Sequence, residues 1–299
     1  MIEIKNVKKC FDDIVAVNYI SLCIPEGSVY GLLGTNGAGK STLLRMLSGV
    51  FQSDEGEILI DGQPVWENPE VKANVFYISD DQYFYNNATP KDLVKTYSLY
   101  YPQFDAERFF EYLRHFRLDA KRSVHTFSKG MRKQVSILLG ICSGAKYLLC
   151  DETFDGLDPV MRKSIKKIFA GEMVERGLTP VIASHNLREL EDICEHVGVL
   201  HLGGVLVEED VDVMKGNLVK LQCVLDGVDD ATLRLQFEVL ELERKGKLIT
   251  LTVRGQENEV IHTIEEMNPA FYEILPMSLE EIFIYEAEGV GYDVQKFLL

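Results

Sequence analysis

The sequence predicts an α/β fold built on a parallel sheet and followed by a small α+β domain. Three observations carry this expectation. A glycine-rich loop, Gly34 to Thr42, lies between the apolar run Ser28 to Leu33 and a helical pattern bearing Leu43, Leu44 and Leu47. Short uninterrupted apolar runs, Tyr147 to Cys150 and Pro180 to Ala183, alternate with helical stretches, as strands buried on both faces of a parallel sheet do. Near Gly216 the pattern changes to alternating strands with a short helix. With 299 residues, 46% of them hydrophobic, the chain has material for one large domain and one small one.

The elements follow in order. Ile2-Glu3-Ile4 begins a series of short apolar strands leading to the loop, and Gly56 to Gly62 reads as a strand between turns. Asn74 to Ser79 is a further strand. From Thr89 to about Leu118, Leu93, Val94, Tyr97, Phe109, Phe110, Leu113 and Phe116 recur at spacings of three and four, which predicts an inserted helical block. Ser128 is placed to cap a helix whose apolar face carries Val135, Leu138, Leu139 and Ile141 and which ends near Gly144. In the C-terminal part, Leu248 to Val253 alternates as a strand, Glu257 to Met267 reads as a helix, and Ser278 with Glu281 forms a capping box before Ile282 to Tyr285.

The loop itself, Gly34-Thr35-Asn36-Gly37-Ala38-Gly39-Lys40-Ser41-Thr42, has a spacing with a mechanical cause. Small residues let consecutive amides curl round an anion at a helix N-terminus, so the motif predicts a bound nucleoside triphosphate. Lys40 would reach the outer phosphates and the Ser41 hydroxyl would face Mg²⁺. Tyr147-Leu-Leu-Cys-Asp151-Glu152 then puts two carboxylates at the C-terminal end of a buried strand, where ligands of open α/β sheets gather. In a phosphate-loop protein such an Asp helps hold Mg²⁺, and a following Glu can polarise the attacking water.

The order of phosphate loop, helical insert, Ser128-Lys129-Gly130 helix start, Asp151-Glu152 strand end and later His185 resembles the ATP-binding cassette ATPases over roughly residues 1–215. That resemblance implies a P-loop NTPase cassette over 1–216, with a parallel-sheet core, an N-terminal antiparallel β-subdomain and a helical subdomain inserted at about 85–142. Residues 217–299 would form the accessory domain. It also implies head-to-tail pairs, with each ATP between the phosphate loop of one copy and the Ser-x-Gly segment of the other. Ser128 and Gly130 would then contact the γ-phosphate in trans, Glu152 would be the general base, and His185 would touch the γ-phosphate. Residues Asp155 to Asp158 would couple the two sites. Phe11 would stack on adenine, with core packing as the other reading.

Three departures from the family pattern stand out. Phe-Ser-Lys-Gly-Met replaces the commonest form and brings Lys129 beside the expected γ-phosphate; the Lys-Gly-Met form resembles a variant of bacterial drug and peptide exporters. After the strand ending at Ser79, where the family has a Gln that senses Mg²⁺, stands Asp80, followed by Asp81 and Gln82. Asp80 is the candidate metal residue and Gln82 the alternative; an acid accepts hydrogen bonds from metal-bound water but cannot donate as an amide does. Thr153 and Phe154 replace the usual Pro-Thr.

Composition narrows the function. A net charge of −16 argues against broad nucleic-acid binding. The six cysteines are scattered without a Cys-x-x-Cys pair and fit a reducing compartment. No run approaches the roughly 18 apolar residues of a membrane span, so attachment to the inner face of the cell membrane is expected through a transmembrane permease subunit. The expected function is therefore ATP hydrolysis that drives a membrane exporter, and Pro276 to Ile284 also resembles the C-terminal end of exporter ATPases. A soluble cassette ATPase of translation or DNA repair is the alternative, although such relatives carry two cassettes or long coiled coils. A phosphate-loop kinase is a third reading, disfavoured by the Ser128 and Glu152 pair.

Overall fold

Alternating and continuous apolar runs set the first half of the chain into two sheets. The computed structural model describes residues 1–191 and 193–289. Strands β1 (Ile2–Phe11) and β2 (Ile14–Ile24) form a long hairpin, and β1 also pairs with β4 (Glu55–Ile60), which is joined by β5 (Gln63–Pro64). All these pairings are antiparallel, in the order β2-β1-β4-β5. Register shifts between Ile4 and Val7 bend β1, at the point where Asn6 takes a left-handed conformation.

The second sheet is built from β3 (Tyr30–Gly34), β6 (Val75–Ile78), β7 (Tyr147–Asp151), β8 (Thr179–Ser184), β9 (His196–His201) and β10 (Gly204–Asp210), in the order β10-β9-β3-β8-β7-β6. The pairs β9/β3, β3/β8, β8/β7 and β7/β6 are parallel. Every residue of β3, β7 and β8 is buried, which explains why these strands read as unbroken apolar runs. Helix α1 (Lys40–Leu47) packs Leu43, Leu44, Met46 and Leu47 into the core between the sheets, with Ile2, Ile4, Leu32, Leu149 and Val181.

After the short helix α2 (Pro69–Lys72) and β6 comes the helical block. It consists of α3 (Pro90–Tyr100), opened by a Thr89/Asp92 capping box, and α4 (Ala106–His115), capped by Asp105. Pro102 lies between them and prevents continuation. A 3₁₀ turn at Val124–Thr126 leads to α5 (Lys129–Cys142), whose N-cap is Ser128, as expected from the sequence. Helix α6 (Pro159–Arg176) is the helical stretch expected between the two buried apolar runs; it ends at Gly177, and α7 (Leu187–Glu191) follows β8.

Glu172 ties this region together. Its carboxylate is buried, lies 2.6 Å from both Arg108 of α4 and Arg176, and Arg176 donates to the carbonyls of Ala145 and Ile141. Glu172→Ala strands two guanidinium groups beside a low-dielectric pocket and is expected to cost about 2–4 kcal/mol, less than a fully buried pair because both arginines are partly exposed. Chemical denaturation of the variant measures this.

The chain divides into two compact units, Met1–Glu208 and Glu209–Leu299, against the 216/217 boundary expected from sequence. The second unit begins with α8 (Val211–Gly216) and contains β11 (Leu218–Val224), α9 (Asp230–Gln236), β12 (Glu238–Lys245), β13 (Leu248–Arg254), α10 (Glu257–Glu266), β14 (Phe271–Leu275) and α11 (Leu279–Gly289). Its antiparallel sheet has the order β12-β13-β11-β14, so β11-α9-β12-β13-α10-β14 is a ferredoxin-like βαββαβ unit. Leu221, Cys223, Leu233, Ile249, Leu251, Val253, Val260 and Ile264 form its core. The expected Ser278/Glu281 capping box opens α11.

Candidate active site

The parallel register brings the ends of four strands to one edge of the sheet, and each end carries a candidate residue. At the end of β3 the glycine loop turns into α1. Gly39 has φ +101°, and a Cβ there would stand 2.4 Å from the Ala16 carbonyl oxygen. Only glycine fits. The first intrahelical bond is donated by Leu43 N to Gly39 O at 2.9 Å, so the amides of residues 39–42 precede the ladder and face outward at the positive helix end. Thr35, Asn36, Gly37 and Ala38 complete the turn, closed by a bond from Ala38 N to Thr35 O at 3.1 Å.

Lys40 is buried. Its ammonium donates to the carbonyls of Gly34 (2.6 Å) and Thr35 (3.2 Å) and lies 3.4 Å from Glu152 Oε1. The neighbouring Ser41 hydroxyl donates to Asp151 Oδ1 at 2.9 Å, and Tyr77 Oη donates to Asp151 Oδ2 at 3.0 Å. Burial pushes the Asp151 carboxyl up, against the pull of those two hydrogen bonds. Burial and the Asp151 charge push the Tyr77 phenol up to about 12, so it stays a donor. Tyr77 has no counterpart in the sequence reading; its place at the end of β6, beside the Asp151 strand, is the signal that could have found it.

Glu152 follows β7 in a left-handed conformation, φ +47°. Its amide donates to Ala183 O at 3.0 Å, and its Oε2 lies 2.8 Å from His185 Nδ1. With Glu152 ionised, that ring nitrogen carries the proton, which turns Nε2 away from Glu152. Lys40, Glu152 and His185 thus form one polar cluster and Ser41, Tyr77 and Asp151 a second, brought side by side because 40/41 and 151/152 are neighbours in the chain. Among the described residues no set of three or more His, Cys, Asp or Glu side chains is arranged to hold a metal. Ser41 and Asp151 nonetheless suit Mg²⁺, which takes one or two protein oxygens and completes its shell with water and phosphate.

The remaining candidates lie elsewhere. Ser128 Oγ accepts from Met131 N at 3.2 Å; Ser128 and Lys129 are exposed, and Gly130 is partly so. No hydrogen bond or ion pair among the described residues joins 128–130 to the phosphate loop. Asp158 caps α6 through Met161 N. Phe11 ends β1 with its ring edge-on to Phe51 at 5.3 Å and is 39% exposed, so that one face of the ring is open to solvent. Asp80 faces Lys133 Nζ at 3.4 Å, and Gln82 Nε2 turns back onto the carbonyls of Ser79 and Asp80. Phe154 is buried and meets Phe169 of α6 edge-on.

Residues 17–155 match the family model described as ABC transporter. The chain is 31% identical to the ABC transporter ATP-binding protein YtrB of Bacillus subtilis (strain 168), over 97% of this chain and 99% of that one. It is 30% identical to the lantibiotic transport ATP-binding protein SrtF of Streptococcus pyogenes, over 71% of this chain and 92% of that one. A solved ATP-binding subunit of an ABC transporter superposes with a TM-score of 0.67 at 25% identity, covering 72% of this chain and 92% of the other.

Proposed function

The chain belongs to the ABC transporter family and is an ATPase of its ATP-binding subunits, and from that premise we propose that it drives an exporter by closing on ATP as a pair of cassettes. The observation that carries the reading is the Glu152 carboxylate held between Lys40 and His185 at the strand ends. In this reading the triphosphate lies along residues 34–42, with Lys40 on the outer phosphates and Phe11 against adenine. Ser41 and Asp151 would hold Mg²⁺, whose charge would offset that of the triphosphate.

Glu152 takes a proton from the attacking water; the water oxygen bonds to the γ-phosphorus, and the bond to the bridging oxygen breaks to leave ADP and phosphate. The phosphates compete for Lys40, and its displacement frees Glu152 Oε1 for that proton. His185 keeps Glu152 oriented through Nδ1 and faces the γ-phosphate through Nε2. Ser128 and Gly130 of a second cassette close the site, and Asp158 lies on the loop that couples the two sites. The pair docks on a transmembrane permease, which would place it on the inner face of the cell membrane; among the described residues no helix is long and apolar enough to cross one.

Similarity to a transporter ATP-binding protein over 97% of the chain favours this over a role in translation or DNA repair. The name of SrtF, with the Lys-Gly-Met segment, favours a peptide antibiotic as cargo. Phosphate release from ATP with no phosphorylated acceptor, together with co-purification of a hydrophobic membrane subunit, is the expected result. Recovery with ribosomes or DNA would contradict it. Lys129, exposed beside Ser128, adds a positive charge for the partner's γ-phosphate. Lys129→Gly is expected to weaken ATP-driven pairing about 3- to 10-fold, in the range of a single charge-assisted contact at a surface; sedimentation at graded ATP measures it, and unchanged pairing would reduce Lys129 to a solvated side chain.

A further inference from the structure

The most deeply buried lysine of the first unit takes no part in the chemistry above. Lys133 lies on α5, five positions beyond Ser128, with its side chain 1% exposed. An ammonium has three protons to place, and a buried one costs heavily unless all three are bonded. Lys133 donates to Glu152 O (2.5 Å) and Asp155 O (2.9 Å) and meets the Asp80 carboxylate at 3.4 Å. Those acceptors come from three separate segments: the residue after β7, the loop leading to α6, and the turn after β6.

Glu152 gives this arrangement a consequence. Its left-handed backbone is one that residues with a Cβ avoid and that persists only where surroundings impose it. Ala183 O holds the amide side of Glu152, and Lys133 holds its carbonyl side. The side chain fixed by this two-point grip is the one between Lys40 and His185.

We propose that Lys133 is the positioning residue that fixes Glu152 for catalysis, with Asp80 as its counter-ion and not a ligand of the metal. The proposal rests on the reading of Glu152 as general base. It also gives α5 a mechanical link to its own chain's base, while the N-terminus of the same helix carries the Ser128 to Gly130 segment that would meet the partner's ATP. In this proposal the Asp80 carboxylate, 3.4 Å from Lys133 Nζ, serves the lysine in place of the metal role expected from sequence.

The test uses the full chain with Lys133→Met, Asp80→Asn and the double variant. Lys133→Met is expected to lower kcat for ATP hydrolysis about 10- to 100-fold, the scale of a misplaced catalytic group, with KM and the affinity for a fluorescent ATP analogue unchanged. Asp80→Asn should lower kcat by a smaller factor and leave the Mg²⁺ concentration for half-maximal activity unchanged. Added to Lys133→Met, it should have no further effect. In EDTA, without nucleotide, Asp80→Asn should lower the melting temperature, because it strips a buried ammonium of its counter-ion; loss of a metal ligand alone would not.

Wild-type kcat in a folded Lys133→Met would overturn the proposal. So would an Asp80→Asn that raises the Mg²⁺ requirement in both backgrounds or melts like wild type in EDTA. Should Lys133→Met fail to fold, Asp80→Asn still decides, since the Asp80 side chain is 52% exposed and its removal is tolerable. If Glu152→Gln abolishes hydrolysis and Lys133→Met does not, only this inference falls; if Glu152→Gln hydrolyses normally, the reading of the base falls with it.

Discussion

Glu152→Gln is expected to lower ATP hydrolysis about 10²- to 10⁴-fold, the usual worth of a positioned general base, while ATP binding persists. The amide keeps the size of the carboxylate and can still meet Lys40 and His185, so the loop geometry is preserved. What it loses is the ability to accept a proton from water. A chain that binds ATP and cannot hydrolyse it should accumulate in the closed pair, visible by light scattering as a doubling of mass that depends on ATP. Hydrolysis at the wild-type rate would remove Glu152 as the base.

Lys40→Met is expected to act one step earlier. The ammonium sits at the mouth of the loop on two backbone carbonyls and on Glu152. Transferring it to phosphate oxygens forms charge-assisted bonds worth about 1.5–3 kcal/mol, so ATP affinity should fall roughly 10- to 150-fold. Hydrolysis should fall further, because the same charge stabilises the transferred phosphoryl group in the transition state. Equilibrium binding of a fluorescent ATP analogue and single-turnover hydrolysis separate the two effects.

The two variants differ because the residues sit on opposite sides of one event, and the sequence already pointed to both. The phosphate loop is legible because its spacing is dictated by backbone geometry: Gly39 occupies a position that no Cβ can share. The strands β3, β7 and β8 are legible because burial on both faces leaves unbroken apolar runs, with polar residues only at the ends, Asp151 in β7 and Thr179 and Ser184 in β8. The bounds of helix α6 are less legible because its buried side is thin, Met161, Ile165, Phe169 and Glu172, among many charged residues. Lys133 was invisible for a different reason: a lysine on a capped helix reads as solvated, and its acceptors come from residues far along the chain. The ferredoxin-like order of the second unit was equally out of reach, since the strands alternate alike and only pairing distinguishes them.

The composite site, one chain's phosphate loop completed by another's Ser128 to Gly130, is tested most directly by mixing two inactive chains. Lys40→Met lacks a working loop, and Ser128→Arg lacks a working closing segment; each alone should fail to hydrolyse ATP. A mixed pair contains one site with an intact Lys40 and an intact Ser128, so phosphate release should reappear when the two are combined. Absence of any recovery, with mixed pairs demonstrably formed, would contradict a site shared between chains.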